Sequence, residues 1–150
     1  MPKPLIKSDG SIKAIFKSHP KTKLIRPLLG SDIPAGFPSP AQDYIEDRLD
    51  LNEYLIKHPS ATYFVRVDGY SMLEAGIFPD DILIVDRALE AINKKVIIAV
   101  LNGELTVKRL IIKDNIYYLK PDNPEFDTIR ITAEDQFSVW GVVTYVIHKL

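Results

Sequence analysis

Ser71 and Lys108 are the two residues whose side chains could together carry out nucleophilic chemistry in this sequence. A serine hydroxyl becomes a nucleophile only when a neighbouring base removes its proton. Lysine can be that base when it is neutral, and burial favours the neutral amine because it penalises the ammonium form. Each residue also has an ordinary interpretation, Ser71 as a polar turn residue and Lys108 as an edge-strand lysine that reaches solvent.

Histidine is the more common base for a serine nucleophile, and the chain has three histidines. His19 lies in a proline-rich N-terminal stretch, His58 precedes a proline, and His148 is close to the C-terminus. None of these positions resembles a catalytic context, so the sequence does not favour a Ser-His-Asp triad. The sequence contains no cysteine, which excludes a thiol nucleophile and disulfide bonds.

The lysine lies in a segment that alternates like a β-strand. In residues 104–110 (ELTVKRL), Thr106 and Lys108 share one face of the predicted strand. Apolar neighbours on this strand would desolvate the lysine, and the Thr106 hydroxyl could orient a neutral amine by hydrogen bonding. An Asn-Gly pair directly before the segment is the strongest short-range signal for a hairpin.

From residue 61 onward the sequence predicts a series of short strands without long helices between them. The predicted strands are residues 63–67, 81–86, 95–101, 104–110, 116–119, 128–131 and 137–147. Such spacing favours an antiparallel, barrel-like β domain over βαβ units. Before it, Ser39-Pro40 predicts one helix start and Asp50 with Glu53 predicts a second, capped helix, so we expect ordered structure to begin near Ser39.

The N-terminal part of the chain differs from the rest in proline content and charge. Seven of the eleven prolines fall in the first 40 residues, and residues 1–30 contain seven basic residues and one acid, Asp9. Because proline disfavours long helices and central strands, we predict a flexible arm over residues 1–38 and a folded domain over residues 39–150. The basic arm could contact nucleic acid, dock on its own domain, or be merely solvated.

Membrane and export signals are missing from the sequence. The apolar runs are shorter than the roughly 20 residues that span a bilayer, and no apolar segment follows the N-terminal lysines. The sequence therefore predicts a cytoplasmic protein without membrane association.

Five segments in a fixed order resemble the LexA/UmuD family of self-cleaving peptidases. They are AGFPSP, DLNEYLIKHPSATYFVRV, GYSM, GIFPDDILIVD and GELTVKRL, and they cover most of residues 35–150. The family uses a Ser-Lys dyad, and the separation of 37 residues from Ser71 to Lys108 suits its spacing. The resemblance implies a mainly β, LexA-like peptidase domain, preceded by the flexible arm and short helices, that acts on its own chain.

Carried over to this sequence, the resemblance gives each site residue a role. Ser71 would attack the scissile carbonyl, Lys108 would take its proton, and Thr106 would support the lysine. The backbone N–H groups of Tyr70 and Ser71 would form the oxyanion hole. The implied chemistry needs neither a metal nor a cofactor.

The resemblance also places the cleavage site, between Ala35 and Gly36. A small residue before the bond and a glycine after it reduce crowding around the nucleophile, although an Ala-Gly pair is also typical of a flexible linker. About 35 residues precede this junction, too few for the DNA-binding domain of a LexA repressor. The resemblance therefore favours the UmuD branch, whose members are subunits of error-prone translesion DNA polymerases.

The UmuD branch implies several partners. They are a second copy of the chain, a RecA filament on single-stranded DNA that stimulates cleavage, and a Y-family polymerase subunit. The segment 137–147 is a candidate dimer contact, and equally a core strand. The alternatives are a non-cleaving regulatory or repressor-like dimerisation module, and a relative of signal peptidases, which the missing membrane anchor disfavours.

Overall fold

A computed structural model describes residues 7–18, 25–29 and 45–150, with the backbone alone for 25–29 and 45–48. The chain forms two compact units. The larger combines the described part of Met1–Ser18 with Ser60–Leu150, and the smaller is His19–Pro59. Both residues of the predicted dyad lie in the larger unit.

Strands dominate the described structure. In chain order they are β1 (Ile12–Lys17), β2 (Ile25–Leu29), β3 (Ile45–Asp50), β4 (Thr62–Val67), β5 (Ile82–Asp86), β6 (Val96–Leu101), β7 (Glu104–Lys113), β8 (Ile116–Lys120), β9 (Ile129–Arg130) and β10 (Phe137–Ile147). One short helix, α1, spans Leu51–Leu55, and single 3₁₀ turns occur at Pro59–Ala61 and Leu73–Ala75. No helix in these ranges is long and apolar enough to cross a membrane.

The larger unit is built on one eight-stranded antiparallel sheet in the order β1-β4-β5-β10-β6-β7-β8-β9, which curves into a half-barrel. Strand β6 is apolar without a break because it is buried on both of its faces. Ile98 packs into one buried cluster, with Val65, Leu83 and Val107, while its neighbour Ile97 packs into a second cluster on the opposite face. The predicted mainly β, antiparallel fold is confirmed.

The hairpin between β6 and β7 sets the register of the lysine strand. Leu101 pairs with Glu104 across a two-residue loop in which Asn102 and Gly103 both have positive φ angles, of 50° and 83°. Such a loop needs residues that tolerate φ above zero, which is why Asn-Gly forms it. The resulting register places Lys108 opposite the fully buried Ile97.

Strand β1 shows that ordered structure begins earlier than Ser39, contrary to our expectation. β1 pairs antiparallel with β4 at the edge of the sheet, with Ile15 opposite Val65, and Ile12 is buried in the core. The prolines of the N-terminal part lie on either side of this stretch, since none occurs between Pro4 and Pro20. The proline count over the first 40 residues therefore did not reveal the proline-free segment that forms β1.

The smaller unit corrects one predicted helix and confirms the other. Residues 45–50 form β3, which pairs antiparallel with β2. The helix that Ser39-Pro40 was predicted to start is therefore wrong over residues 45–50. Residues 39–44 lie outside the described ranges. Ile45 and Leu49 are four residues apart, a spacing that fits one face of a strand as well as one face of a helix. The second helix is α1, capped by Asp50, whose Oδ1 accepts from the Asn52 N–H at 3.0 Å.

Candidate active site

Ser71 lies in a tight loop directly after β4. We call residues 68–74 the nucleophile turn. Gly69 adopts a φ of 74°, a conformation that side chains other than glycine's disfavour, and the Asp68 carboxylate accepts from the Gly69 N–H at 2.8 Å. Ser71 is 9% exposed and borders an open cleft. The turn thus presents a mostly buried hydroxyl at the edge of a solvent-accessible space.

The loop after β8 holds the nucleophile turn on both sides of Ser71. The Asn123 side-chain amide donates to the Tyr70 carbonyl at 2.7 Å. The Asp122 carbonyl accepts from the Glu74 N–H at 2.8 Å, and the Asp122 N–H donates to the Met72 sulfur at 3.3 Å. Because these contacts flank Ser71, the position of its backbone is fixed from both directions.

An ion pair connects this loop to the lysine strand. Arg109 on β7 binds both oxygens of the Asp122 carboxylate, with its Nε 3.1 Å from Oδ1 and its Nη2 in contact with Oδ2. Two parallel N–H···O bonds fix orientation more strictly than a single contact. Arg109 is the chain neighbour of Lys108, so the same loop anchors both the nucleophile turn and the strand that carries the lysine. Sequence reasoning did not identify this loop, since its contacts join segments far apart in the chain.

Lys108 is buried on β7, with 5% of its surface exposed. Its ammonium donates to the Thr106 hydroxyl at 2.8 Å and to the Val107 carbonyl at 3.1 Å. The strand alternation puts Thr106 and Lys108 on one face, as the sequence pattern indicated, and the two side chains touch. The lysine thus lies in a desolvated setting that still satisfies its donors.

The third partner of Lys108 is Asp9, which sequence reasoning did not assign to the site. The Lys108 Nζ and the Asp9 Oδ2 are 3.0 Å apart, and the same oxygen accepts from the Thr106 hydroxyl at 2.6 Å. Burial alone raises the pKa of Asp9, but hydrogen bonds from Ser11 and Thr106 and the charge of Lys108 outweigh it and bring the pKa below its ordinary value. The only signal in the sequence was that Asp9 is the sole acid among the first 30 residues.

Ser71 and Lys108 line the same cleft. Its other lining residues are Asp9, Gly10, Ser11, Asp68, Gly69, Tyr70, Phe126, Asp127 and Ile129. Within the described part of the chain, the hydrogen bonds of the Lys108 ammonium go to Asp9, Thr106 and Val107, and none joins it to Ser71. The cleft therefore holds the predicted nucleophile and the predicted base, and the amine of Lys108 is paired with the Asp9 carboxylate.

The remaining candidates are the residues of the predicted cleavage site and the three histidines. Ala35 and Gly36, the predicted cleavage site, are outside the described residues, as is His19. His148 pairs with Asp81, with Nδ1 and Oδ1 2.6 Å apart, and its ring packs at a tilt against Phe78; it does not line the cleft of Ser71. His58 belongs to the smaller unit. Among the described residues of the larger unit, Lys108 lines the cleft with Ser71, and His148 does not.

Comparison with known proteins points to one group. A family model described as Peptidase S24-like matches residues 27–144. Protein ImpA of Salmonella typhimurium is 46% identical over 127 residues, which cover 83% of this chain and 85% of ImpA. Protein MucA of Escherichia coli is 45% identical over 114 residues, or 75% of this chain and 77% of MucA. The LexA repressor of Colwellia psychrerythraea is 35% identical over 124 residues, which cover 82% of this chain and 58% of the repressor.

Proposed function

Because this chain belongs to the Peptidase S24-like family, in the UmuD branch of the LexA/UmuD group, we propose that it is a damage-response protein that cleaves itself between Ala35 and Gly36 with a Ser71-Lys108 dyad. The observation that carries the proposal is that Ser71 and the buried Lys108 line one cleft. The family model and the relatives confirm the family predicted from the sequence, whereas the dyad and the cleavage site are our proposal.

The dyad would act by acyl transfer. Neutral Lys108 takes the proton of the Ser71 hydroxyl as its oxygen attacks the Ala35 carbonyl carbon. The tetrahedral intermediate collapses, the Ala35-Gly36 bond breaks, and the lysine returns the proton to the Gly36 amine as it leaves. Water then hydrolyses the ester on Ser71, again with the lysine as base, and restores both side chains. Burial on β7 supports this role because it holds the amine away from bulk solvent, at the cleft that Ser71 also lines.

The nucleophile turn supplies a candidate oxyanion hole. A peptide group is planar and trans, so the Tyr70 carbonyl and the Ser71 N–H point in opposite directions. The bond from Asn123 to the Tyr70 carbonyl therefore also fixes the direction of the Ser71 N–H. Donors held in place before the reaction stabilise the oxyanion without reorganisation. This supports the Ser71 N–H as one donor of the hole, and the Tyr70 N–H stays a prediction as the second donor.

Replacing Asn123 with alanine is expected to slow self-cleavage by about 10- to 100-fold, since it frees the peptide group that bears the Ser71 N–H. The first-order cleavage rate is measured by gel densitometry at a temperature well below the melting temperature of both proteins. Asn93→Ala is the matched control, because Asn93 also bonds a backbone group, the Ile112 N–H at 2.7 Å, but does not line the cleft. Equal rates for Asn123→Ala and the wild type would contradict the assigned role.

The cleavage position is tested by the mass of the product. The pure protein, incubated with and without an activated RecA filament, is expected to give a C-terminal fragment that begins at Gly36. A bulky charged residue at position 36 is expected to block the reaction, because it crowds the nucleophile. A fragment with another first residue would show that the junction is misplaced.

The wider role follows from the same branch of the family. We propose that the truncated product forms a homodimer, joins a Y-family polymerase subunit and supports error-prone translesion synthesis, with RecA filaments as the stimulus. Strand β10 supports the dimer, because Val142 is buried in the core while Val139, Val146 and Ile147 are each more than a third exposed. Exposed apolar residues on one strand are candidates for a protein contact.

One observation favours a second candidate, a regulatory or repressor-like dimerisation module that does not cleave. The Lys108 ammonium is paired with Asp9, and a charged lysine cannot act as a base. In a module of this kind the dyad would be retained but idle. Absence of Ser71-dependent cleavage, with RecA filaments or at alkaline pH, would select this alternative.

A further inference from the structure

The N-terminal segment before β1 places a carboxylate on the lysine of the proposed dyad. Asp9 Oδ2 accepts from Lys108 and Thr106, while Asp9 Oδ1 accepts from the Ser11 hydroxyl and from the Ser11 N–H at 3.0 Å. The Lys108 side chain is 6% exposed and that of Asp9 is 35% exposed. Both carboxylate oxygens are therefore engaged, and the contact is largely shielded from solvent.

Backbone pairing fixes Asp9 at this position. β8 pairs with β7 only from Arg109 onward, which leaves the first half of this edge of β7 without a strand from the body of the sheet. The N-terminal segment covers it, since the Leu105 N–H donates to the Lys7 carbonyl at 2.9 Å and the Asp9 N–H donates to the Leu105 carbonyl at 3.1 Å. The carboxylate is thus delivered to Lys108 by main-chain hydrogen bonds, and its placement does not depend on side-chain rotamers alone.

A carboxylate in contact with a lysine favours the ammonium over the neutral amine. The lowered pKa of Asp9 keeps this carboxylate ionised at neutral pH. We propose that Asp9 holds Lys108 in its ammonium form in the resting protein, so that self-cleavage proceeds only when this contact opens. The inference rests on the proposed function, because it assigns Asp9 as the residue that sets the protonation state of the proposed base.

The other titratable groups around the cleft are placed differently. Asp68 and Tyr70 come from the nucleophile turn, and Asp127 from the loop before β9. Asp68 is engaged with the Gly69 N–H, and among the described residues only Asp9 forms an ion pair with Lys108. Removal of the Asp9 charge should therefore change the protonation of the lysine more than removal of any other acid that lines the cleft.

Asp9→Asn is the decisive variant, because it removes the charge and nearly preserves the shape. We expect the pH at which the cleavage rate reaches half its maximum to fall by about one to three units. At pH 7 the rate would then rise by about tenfold or more. Asp80→Asn is the matched control: Asp80 pairs with Lys13 of β1 at 3.0 Å, an exposed ion pair that ties the same part of the chain to the body without touching Lys108. Its pH profile should match the wild type.

A second measurement does not depend on cleavage. In the full-length Ser71→Ala chain, the Lys108 side-chain signal is titrated by NMR with and without Asp9→Asn, and the midpoint should fall in the variant. Should Asp9→Asn fail to fold, Ser11→Ala removes a donor to the Asp9 carboxylate and should shift the profile in the same direction by less. An unchanged midpoint, or an Asp9→Asn variant that cleaves more slowly at every pH, would overturn the inference. Failure of the proposed function looks different, since the wild type would then show no Ser71-dependent cleavage at any pH.

Discussion

Ser71→Ala is expected to leave the chain at full length under every condition that cleaves the wild type. Removal of a serine nucleophile lowers the rate of a peptidase by about 10⁴-fold or more. The fold should persist, because the Ser71 hydroxyl forms no hydrogen bond to any residue that the structure describes. The measurement is the fraction of intact chain over time, together with the melting temperature. Appreciable cleavage at the same bond in this variant would eliminate the dyad and select the non-cleaving module.

Lys108→Met is the matching change at the base. Methionine retains most of the apolar stem and removes the amine, so it tests the chemistry with less loss of packing than alanine. We expect cleavage to stop, with some loss of stability because Asp9 and Thr106 lose a partner. Lys113→Met on the same strand is the control, since its exposed side chain lies at the far end of β7. A Lys108→Met variant that still cleaves would assign the base to another group.

The sequence predicted the body of the sheet well, because the determinants there are local. The strands from β4 to β10 follow from runs of apolar and β-branched residues bounded by turn residues, and the β6–β7 hairpin follows from Asn102-Gly103. The alternation of residues 104–110 was enough to put Thr106 and Lys108 on one face. The alternation could not show which residues surround that face.

The contacts missed by sequence reasoning all join distant segments. Asp9 and Lys108 are 99 residues apart in the chain, and Asn123 lies 53 residues from Tyr70. No local pattern distinguishes an aspartate that meets a buried lysine from one that faces solvent. β3 was missed for another reason, since a pair of apolar residues four apart fits either period until a partner strand, here β2, supplies the hydrogen bonds.

The rate of unstimulated cleavage is expected to depend strongly on pH. If Lys108 must be neutral to act, the first-order rate should rise about tenfold per pH unit until the lysine is mostly deprotonated, and then level off. An ordinary lysine has a pKa of about 10.4, whereas a histidine or carboxylate base would reach its plateau near or below neutrality. The rate is measured from about pH 6 to 11 on protein that circular dichroism shows to be folded at each pH.

Asp9 does not change its ionisation over this pH range, because its pKa is lowered from the ordinary value. A carboxyl group whose folded-state pKa is lowered stabilises the fold above its ordinary value, and that contribution disappears only as the pH falls through the lowered value. Across pH 6 to 11 Asp9 is therefore ionised throughout, and the rate reports the lysine. A RecA filament that docked the cleavage segment over the cleft and removed the solvent that remains around Lys108 would move the whole profile to lower pH, because burial disfavours the ammonium. A rate that is flat above pH 7 would exclude Lys108 as the base.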